Sequence, residues 1–485
     1  MKSLKQKTIS GLFWSFIETA SSQIIGFVST IILSRLLLPS DFGLIGMTVV
    51  ITALAQIFAD GGLSQALIRK QNCSDSDYST VFFVNILIGI SIYFLIFILA
   101  PYISFFFNQP ELTFIIRVIS ISIPINSFGI IQRTLVTKNI NFRVQALITF
   151  TSSVFAFGIA IVLAYRGYGV WSLVFRSIIS QFVMVILLWL VNKWRPRFVF
   201  SKKSFCELFG FGSNLLFIYT IATLFKNAYN VIIGKFYNTT VLGYYTNADQ
   251  MTGLPAGILS TLFNKVAYPV LSIKQDDNVD LKNNIRYLLK PLLLVSFTFM
   301  LLLFAISKSL IPLLFGEKWI MSIPYFQILC IAYMPSILHA SNQLIMNVKG
   351  KSNLFLITEI IKYVLFIPIV FIGIKFGVIV LIIGFALHFW IGFIVNAIFS
   401  KKLITYSVFE QIKDLSGPLL FACIISAITY SSAFLFRDFD YLSIILLQLV
   451  VAFCIGIILF KYVKLFNYND FFVLIKDYIF NSFRR

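Results

Sequence analysis

Charge is scarce in this 485-residue chain. Asp, Glu, Lys and Arg make up 12% of it, where soluble proteins carry about 25%. So few charges cannot cover the water-facing surface of a 55.2 kDa globule, which excludes a soluble enzyme. Histidine is nearly absent: only His339 and His388 occur, which argues against a histidine-built metal site. The five cysteines (Cys73, Cys206, Cys330, Cys423 and Cys454) are scattered, and no CxxC occurs. Neither a metal knuckle nor a redox pair is indicated. HExxH is missing, and Gly350-Lys351-Ser352 lacks the glycine five residues upstream that a phosphate-binding loop requires. No metal, cofactor or ATP-driven mechanism is expected.

What the chain has is apolar length. Its AVILMFWYC content is 59% and its mean hydropathy is +0.91. Disorder is excluded, because it requires low hydrophobicity. The expected fold class is an all-α polytopic membrane protein. A bilayer core about 30 Å thick takes about 20 apolar residues per helix. Fourteen such runs are found, at 11–34, 42–64, 79–100, 112–132, 144–165, 169–191, 207–234, 241–264, 291–311, 322–346, 354–374, 377–399, 417–436 and 441–460. Runs 2, 8 and 10 are the least apolar.

The net charge of +20 sits mainly in loops and reads as a topology signal, not as a nucleic-acid surface. An even span count puts both termini on one side. Of the 39 Lys and Arg, 28 fall on that side, seven on the other and four inside spans. The positive-inside rule makes both termini cytoplasmic. The first apolar stretch contains Glu18 and continues to Leu37 without a small-residue cleavage site, so it is expected to be a retained span. At the other end, Phe471, Phe472, Leu474, Ile475, Tyr478, Ile479 and Phe483 recur at helical spacing, with Asp470, Asp477, Asn481 and Arg484 opposite. Residues 464–485 therefore read as an amphipathic helix on the cytoplasmic leaflet.

An internal repeat lies at an offset of 200. Ile32-Leu33-Ser34-Arg35 and Phe42-Gly43-Leu44-Ile45 align without gaps on Ile232-Ile233-Gly234-Lys235 and Leu242-Gly243-Tyr244-Tyr245. A weaker echo pairs Gly169-Val170 with Gly377-Val378. The expected organisation is a first lobe over 1–200, a second over 205–402, a helix pair over 415–463 and the tail. The offset holds an even number of spans, so the repeats run parallel, an arrangement that suits a central cavity opened alternately to each side.

The stretch Arg35-Leu36-Leu37-Leu38-Pro39-Ser40-Asp41-Phe42-Gly43, followed by Asp60-Gly61-Gly62-Leu63 and Ala66-Leu67-Ile68-Arg69, resembles the polysaccharide-export branch of the multidrug/oligosaccharidyl-lipid/polysaccharide (MOP) exporter superfamily. It is most similar to the Wzx-type lipid-linked oligosaccharide flippases, in their colanic-acid and teichuronic-acid exporter group. The resemblance covers essentially the whole chain and specifies the branch better than the substrate. It implies a bacterial cytoplasmic membrane location, an undecaprenyl-diphosphate-linked repeat unit as substrate, and a monomer working beside polysaccharide polymerase or assembly proteins. Read from the residues alone, the motif is structural. Pro39 ends the outer turn, Asp41 caps span 2, and Gly61-Gly62 permits a bend or a close helix contact.

Ionisable groups inside a bilayer cost about 2.5–3.5 kcal/mol each on insertion scales, so they pair or face a wet cavity. Lys226 sits in span 7 with Asn227 and Asn230 beside it. It is either a substrate contact or the partner of Asp249 or Glu18. Arg117 and Arg176, near the outer ends of spans 4 and 6, face a cavity or snorkel to the interface. Gln250 adds a polar group to span 8. Glu18 and Asp249 are candidates for binding a coupling proton or sodium ion, as is Asp60, which also reads as a helix-end cap. The resemblance implies that spans 1, 2, 7 and 8 line the cleft between lobes. Glu359 and Lys362, three residues apart on span 11, read as an internal ion pair. His339 and His388 read as packed, hydrogen-bonded side chains, with a proton relay as the alternative.

Two competing functions stand beside the flippase. A membrane polymerase, ligase or glycosyltransferase needs acid, base or metal ligands gathered at one membrane face, and the outer loops here are short. A drug/cation antiporter of the related MATE branch shares the expected fold. It would show fewer intramembrane cations and a conspicuous acidic site.

Overall fold

The computed structural model describes residues 4–273, 276–435 and 439–462. Within them the chain is helical, with no strand. The expected amphipathic tail, 464–485, lies outside the described residues. Twelve helical segments among the described residues are long and apolar enough to cross a membrane. The expected spans 1 and 8 also fall on helices, α1 (Leu4–Leu36) and α11 (Thr239–Ile273), which are not among those twelve. α11 carries Thr239, Thr240, Asn247, Asp249, Gln250 and Thr252 in its first half, which lowers its apolar content.

Contacts divide the chain into two compact units, 1–247 and 248–485. The first holds α1, α2 (Pro39–Asp60), α3 (Leu63–Arg69), α4 (Asp75–Phe107), α5 (Leu112–Ile119), α6 (Ser122–Lys138), α7 (Phe142–Tyr165), α8 (Val170–Val191), α9 (Lys202–Lys226), α10 (Ala228–Phe236) and the start of α11. Pro39 was expected to close the outer turn. It is instead the first residue of α2, where its missing N–H costs nothing. Asp41 caps from the third helical position, its Oδ2 accepting the Leu38 N–H at 2.9 Å. Gly61 (φ +59°) ends α2, and Gly62 (φ +70°) starts α3. Ser74 and Asp77 cap α4 reciprocally: Ser74 N–H donates to Asp77 Oδ2 at 2.9 Å and Asp77 N–H to Ser74 Oγ at 3.3 Å.

Lipid tails are as apolar as leucine, so spanning helices associate by close packing rather than by hiding from water. α7 shows how: Ser152, Ala156, Ala160 and Ala164 form a buried stripe of small residues at four-residue spacing. Leu33 of α1 and Leu37, just past its end, are buried in a cluster with Ala160 and Ala164. α4 keeps Leu87, Phe94, Ile98, Tyr102 and Phe105 exposed, the surface lipid covers.

The second unit holds the rest of α11, α12 (Asn278–Phe315), a 3-10 turn (Glu317–Ser322), α13 (Ile323–Tyr333), α14 (Ser336–Val348), α15 (Ser352–Phe376), α16 (Val378–Ile404), α17 (Val408–Leu435) and α18 (Tyr441–Tyr462). Its core follows one stripe of α12 (Leu281, Ile285, Leu289, Leu293, Phe297 and Met300), all fully buried. Three expected spans are broken. Span 4 divides into α5 and α6 around Ser120, span 7 into α9 and α10 at Asn227, and span 10 into α13 and α14 at Pro335.

Candidate functional site

The first unit contains two polar cavities that share one side chain. The larger, about 490 Å³, is lined by Gln56 and Asp60 from α2, Gln65 from α3, Asn126 and Arg133 from α6, and Tyr219 from α9. The smaller, about 210 Å³, is lined by Glu18 from α1, Arg133, Gln145 and Thr149 from α7, and Met184 from α8. Arg133 lies between them. Its Nη2 sits 2.7 Å from Met184 Sδ, a weak acceptor, and it forms no ion pair among the described residues. Glu18 and Asp60 lie within electrostatic reach on either side. Each carboxylate is occupied locally. Gln145 Nε2 and Thr149 Oγ1 donate to Glu18 Oε1 at 3.1 and 3.4 Å. Ser64 donates to Asp60 from its hydroxyl at 2.8 Å and from its backbone at 3.2 Å. The result is an unpaired guanidinium facing open polar space, an arrangement that can receive an anion.

Sequence reasoning identified Glu18 and Asp60 and missed Arg133. Span 4 was ended at residue 132, one short of it, whereas α6 continues to Lys138. The kink at Ser120 shifts the register of that second half, which an unbroken apolar run does not reveal.

The other expected residues are dispersed. Lys226 is exposed, the last residue of α9. Asn227 is buried at the break that follows, its amide donating to the Thr223 carbonyl at 2.9 Å. Asn230 is half-buried on α10 and Gln250 exposed on α11. Arg117 is tied to α4: its Nε donates to the Phe97 carbonyl at 3.3 Å, and its guanidinium lies 4.3 Å from the Phe97 ring centroid. Arg176, on α8, lines neither cavity. Asp249 accepts the Tyr333 hydroxyl at 2.6 Å.

Close approaches occur at both ends of the first unit. A Cβ on Gly43 would lie 1.8 Å from the Thr239 carbonyl oxygen, and one on Gly243 would lie 1.8 Å from that of Pro39. The two contacts are related by the offset of 200, so the repeat aligned in sequence meets itself in space at the start of α2 and α11. At the other end, a Cβ on Gly62 would lie 2.3 Å from the Gly212 carbonyl oxygen. Lys70 Nζ binds Glu207 at 3.0 Å and Asp77 at 3.2 Å there. The hydrogen bond to Glu207 raises the Lys70 ammonium above its ordinary 10.5. The ammonium side of that contact is therefore intact at neutral pH and is lost as pH rises through the raised value.

The second unit carries two further charged groups. In one, Asp414 of α17, 4% exposed, accepts Arg286 Nε and Nη2 of α12 at 2.6 and 2.7 Å and Lys290 Nζ at 3.1 Å. Lys282 Nζ binds Glu410 Oε1 nearby at 2.7 Å. In the other, Lys362 Nζ of α15 binds Glu359 Oε1 at 2.5 Å, the ion pair expected from their spacing. Between α12, α17 and α18 runs an apolar groove of about 980 Å³, walled by Leu294, Phe299, Phe421, Leu446, Phe453 and Ile457.

These features describe a multi-pass membrane protein with polar pockets inside its helices. Residues 32–324 match the polysaccharide biosynthesis protein family, and the chain belongs to it. The chain is 28% identical to the lipopolysaccharide biosynthesis protein WzxC of Escherichia coli (strain K12), a match covering 94% of this chain and 89% of that one. It is 27% identical to the teichuronic acid biosynthesis protein TuaB of Bacillus subtilis (strain 168), covering 73% and 74%. Among solved structures, the lipid II flippase MurJ in an inward closed conformation superposes with a TM-score of 0.72 at 18% identity, over 93% of this chain and 99% of that one. That likeness is one of fold.

Proposed function

We propose that this protein is a flippase. It carries an undecaprenyl-diphosphate-linked oligosaccharide repeat unit across the bacterial cytoplasmic membrane by alternating access, with both termini in the cytoplasm. Family membership supports the polysaccharide role. The observation that carries the substrate class is Arg133, an unpaired guanidinium inside the helices between two polar cavities.

A glycan head group cannot cross hydrocarbon unaided, because each unpaired polar group buried costs several kcal/mol. Walls of Gln56, Gln65 and Asn126 offer replacement hydrogen bonds. Arg133 offers charge to the diphosphate, with Glu18 and Asp60 as its electrostatic neighbours in the empty site. Lys226, Arg117, Arg176, Asn227, Asn230 and Gln250 are secondary polar contacts in this reading, met as the head group enters or leaves. Glu18, Asp60 and Asp249 are the acidic groups available to a coupling ion. The apolar groove beside α18 matches the chemistry of a polyprenyl chain that never leaves the bilayer.

The test is flipping in proteoliposomes, with an undecaprenyl-diphosphate-linked oligosaccharide labelled on its sugar and its appearance in the opposite leaflet followed over time. Wild-type protein is expected to expose the label. Arg133→Ala is expected to lower the rate at least about tenfold, worth about 1.4 kcal/mol, while remaining inserted. Arg133→Lys keeps charge but loses the two-pronged grip on phosphate, and should fall between. Normal flipping by Arg133→Ala removes the anion-site assignment. No exposure by wild type, together with efflux of a small organic cation, supports the antiporter reading instead.

A further inference from the structure

α15 is a peripheral helix. Leu356, Ile360, Val364, Ile367 and Phe371 are exposed along it, on the faces lipid would cover. Its inner face carries Glu359 and Lys362. Lys362 is 8% exposed, and three helices close on the pair. Gln343 of α14 donates to Glu359 Oε1 at 3.1 Å, the same oxygen that Lys362 holds. Gly392 of α16 makes the closure possible: a Cβ there would lie 2.9 Å from His339 Cε1 and 3.0 Å from Lys362 Cδ.

The chain's only two histidines converge here, both within electrostatic reach of the Lys362 ammonium. They are not equivalent. His339 Nε2 lies 2.8 Å from the Phe389 carbonyl, so it carries the proton and donates. Its Nδ1 lies 3.1 Å from Asn396 Nδ2 and accepts. Both nitrogens are used and the ring is locked neutral. His388 packs edge-on to Phe366, and its Nδ1 is buried with no hydrogen-bond partner. A buried imidazole nitrogen without a partner is rare in a packed protein and is free to take a proton. The titratable groups around the Glu359–Lys362 pair are thus Tyr363 of α15, within reach of Glu359, and His339 of α14 and His388 of α16, both within reach of Lys362.

We propose that Glu359, Lys362 and His388 form a proton-exchange site that couples the transport cycle to a proton gradient; this rests on the flippase reading. Glu359 has two exchangeable partners, an ammonium and a proton. In the closed arrangement the Lys362 ammonium neutralises the carboxylate. When water reaches the pair, Lys362 swings away and the carboxylate oxygen takes a proton from hydronium, leaving water. When the ammonium returns, the carboxyl O–H gives its proton to His388 Nδ1. The imidazolium then releases a proton from Nε2 to water, which leaves the Nδ1–H tautomer, and exchange of that proton for one at Nε2 through water resets the ring. Pro368 cannot donate to the Val364 carbonyl, so α15 has a flexible point just beyond Lys362. The ligand is a proton rather than a metal cation. Lys362 already occupies the cation's place, and no group of three or more His, Cys, Asp or Glu able to hold a metal exists among the described residues.

A purely structural ion pair predicts otherwise, since a buried pair is often replaceable by neutral groups of similar shape. The Glu359→Gln/Lys362→Gln double variant separates the two. In the flipping assay it should match wild type without a gradient, within about twofold, and lose all stimulation by an imposed proton gradient. Wild-type stimulation in the double variant, or a wild-type rate indifferent to the gradient, overturns the proposal. A second measurement needs no transport. An infrared pH titration of the reconstituted protein without substrate should show a protonated-carboxyl band that Glu359→Gln removes. No Glu359-dependent band overturns the site and leaves the flippase reading untouched.

Discussion

At the scale of single residues, buried charge in this protein takes two forms. Asp414 is satisfied from every side: Arg286 grips it with two nitrogens, Lys290 with a third, and the Tyr406 hydroxyl donates at 2.8 Å. Such a group stabilises by pinning α12 to α17. Asp414→Asn leaves two cations short of a partner. Because Arg286 remains 32% exposed, part of that loss is screened by water. The expected cost is about 1–3 kcal/mol. It is checked by thermal melting of the purified protein in detergent, where an unchanged midpoint would show the cluster to be dispensable. Arg133 takes the other form, half-buried, lining two cavities and without an ion pair among the described residues. Glu18, Asp60 and the Glu359–Lys362 pair were legible in the sequence because a charge inside an apolar run is conspicuous anywhere. Arg133 was not, because it lies where the apolar run appears to end.

At the scale of helices, the contact between α2 and α11 decides how tightly the first unit closes at one end. Gly43 faces Thr239 and Gly243 faces Pro39, backbone against backbone. Alanine at either glycine puts a Cβ where a carbonyl oxygen already sits. Gly43→Ala and Gly243→Ala should therefore act alike and lower flipping by about tenfold, with the protein still inserted, and the double variant should be little worse than either alone. Unequal single effects would deny that the two halves of the contact are equivalent. Gly43 and Gly243 were aligned from sequence, but nothing in that alignment put them against each other's helix. Equally, the breaks at Ser120, Asn227 and Pro335 lie inside runs apolar enough to pass as single spans. A helix break is set by what packs on either side of it, which composition does not record.

For the whole molecule, the proposed alternating access requires the α2–α11 contact to open and close. A Cβ on Gly46 would lie 2.9 Å from Thr246 Cγ2, so cysteines at these two positions come within disulfide range. The Gly46→Cys/Thr246→Cys variant should cross-link under oxidation and stop flipping, and reduction should restore it. Full-rate flipping by the cross-linked protein would mean that this contact never opens.

Composition determined that the chain lives in a membrane and that it is helical, and a short motif carried the family resemblance. These follow from sums over local segments: twenty apolar residues span a bilayer wherever they sit, and a short motif survives in linear order. The pairing of charges did not follow from such sums. Glu18 turns to α7, Asp249 to Tyr333, and Lys226 stays exposed, while Arg133 gains two cavities and, among the described residues, no carboxylate partner. A side chain's direction depends on the rotation of its helix, and one displaced residue turns it by about 100°. That rotation is fixed by distant helices closing on one another through glycine, alanine and buried hydrogen bonds, so only the tertiary structure decided it.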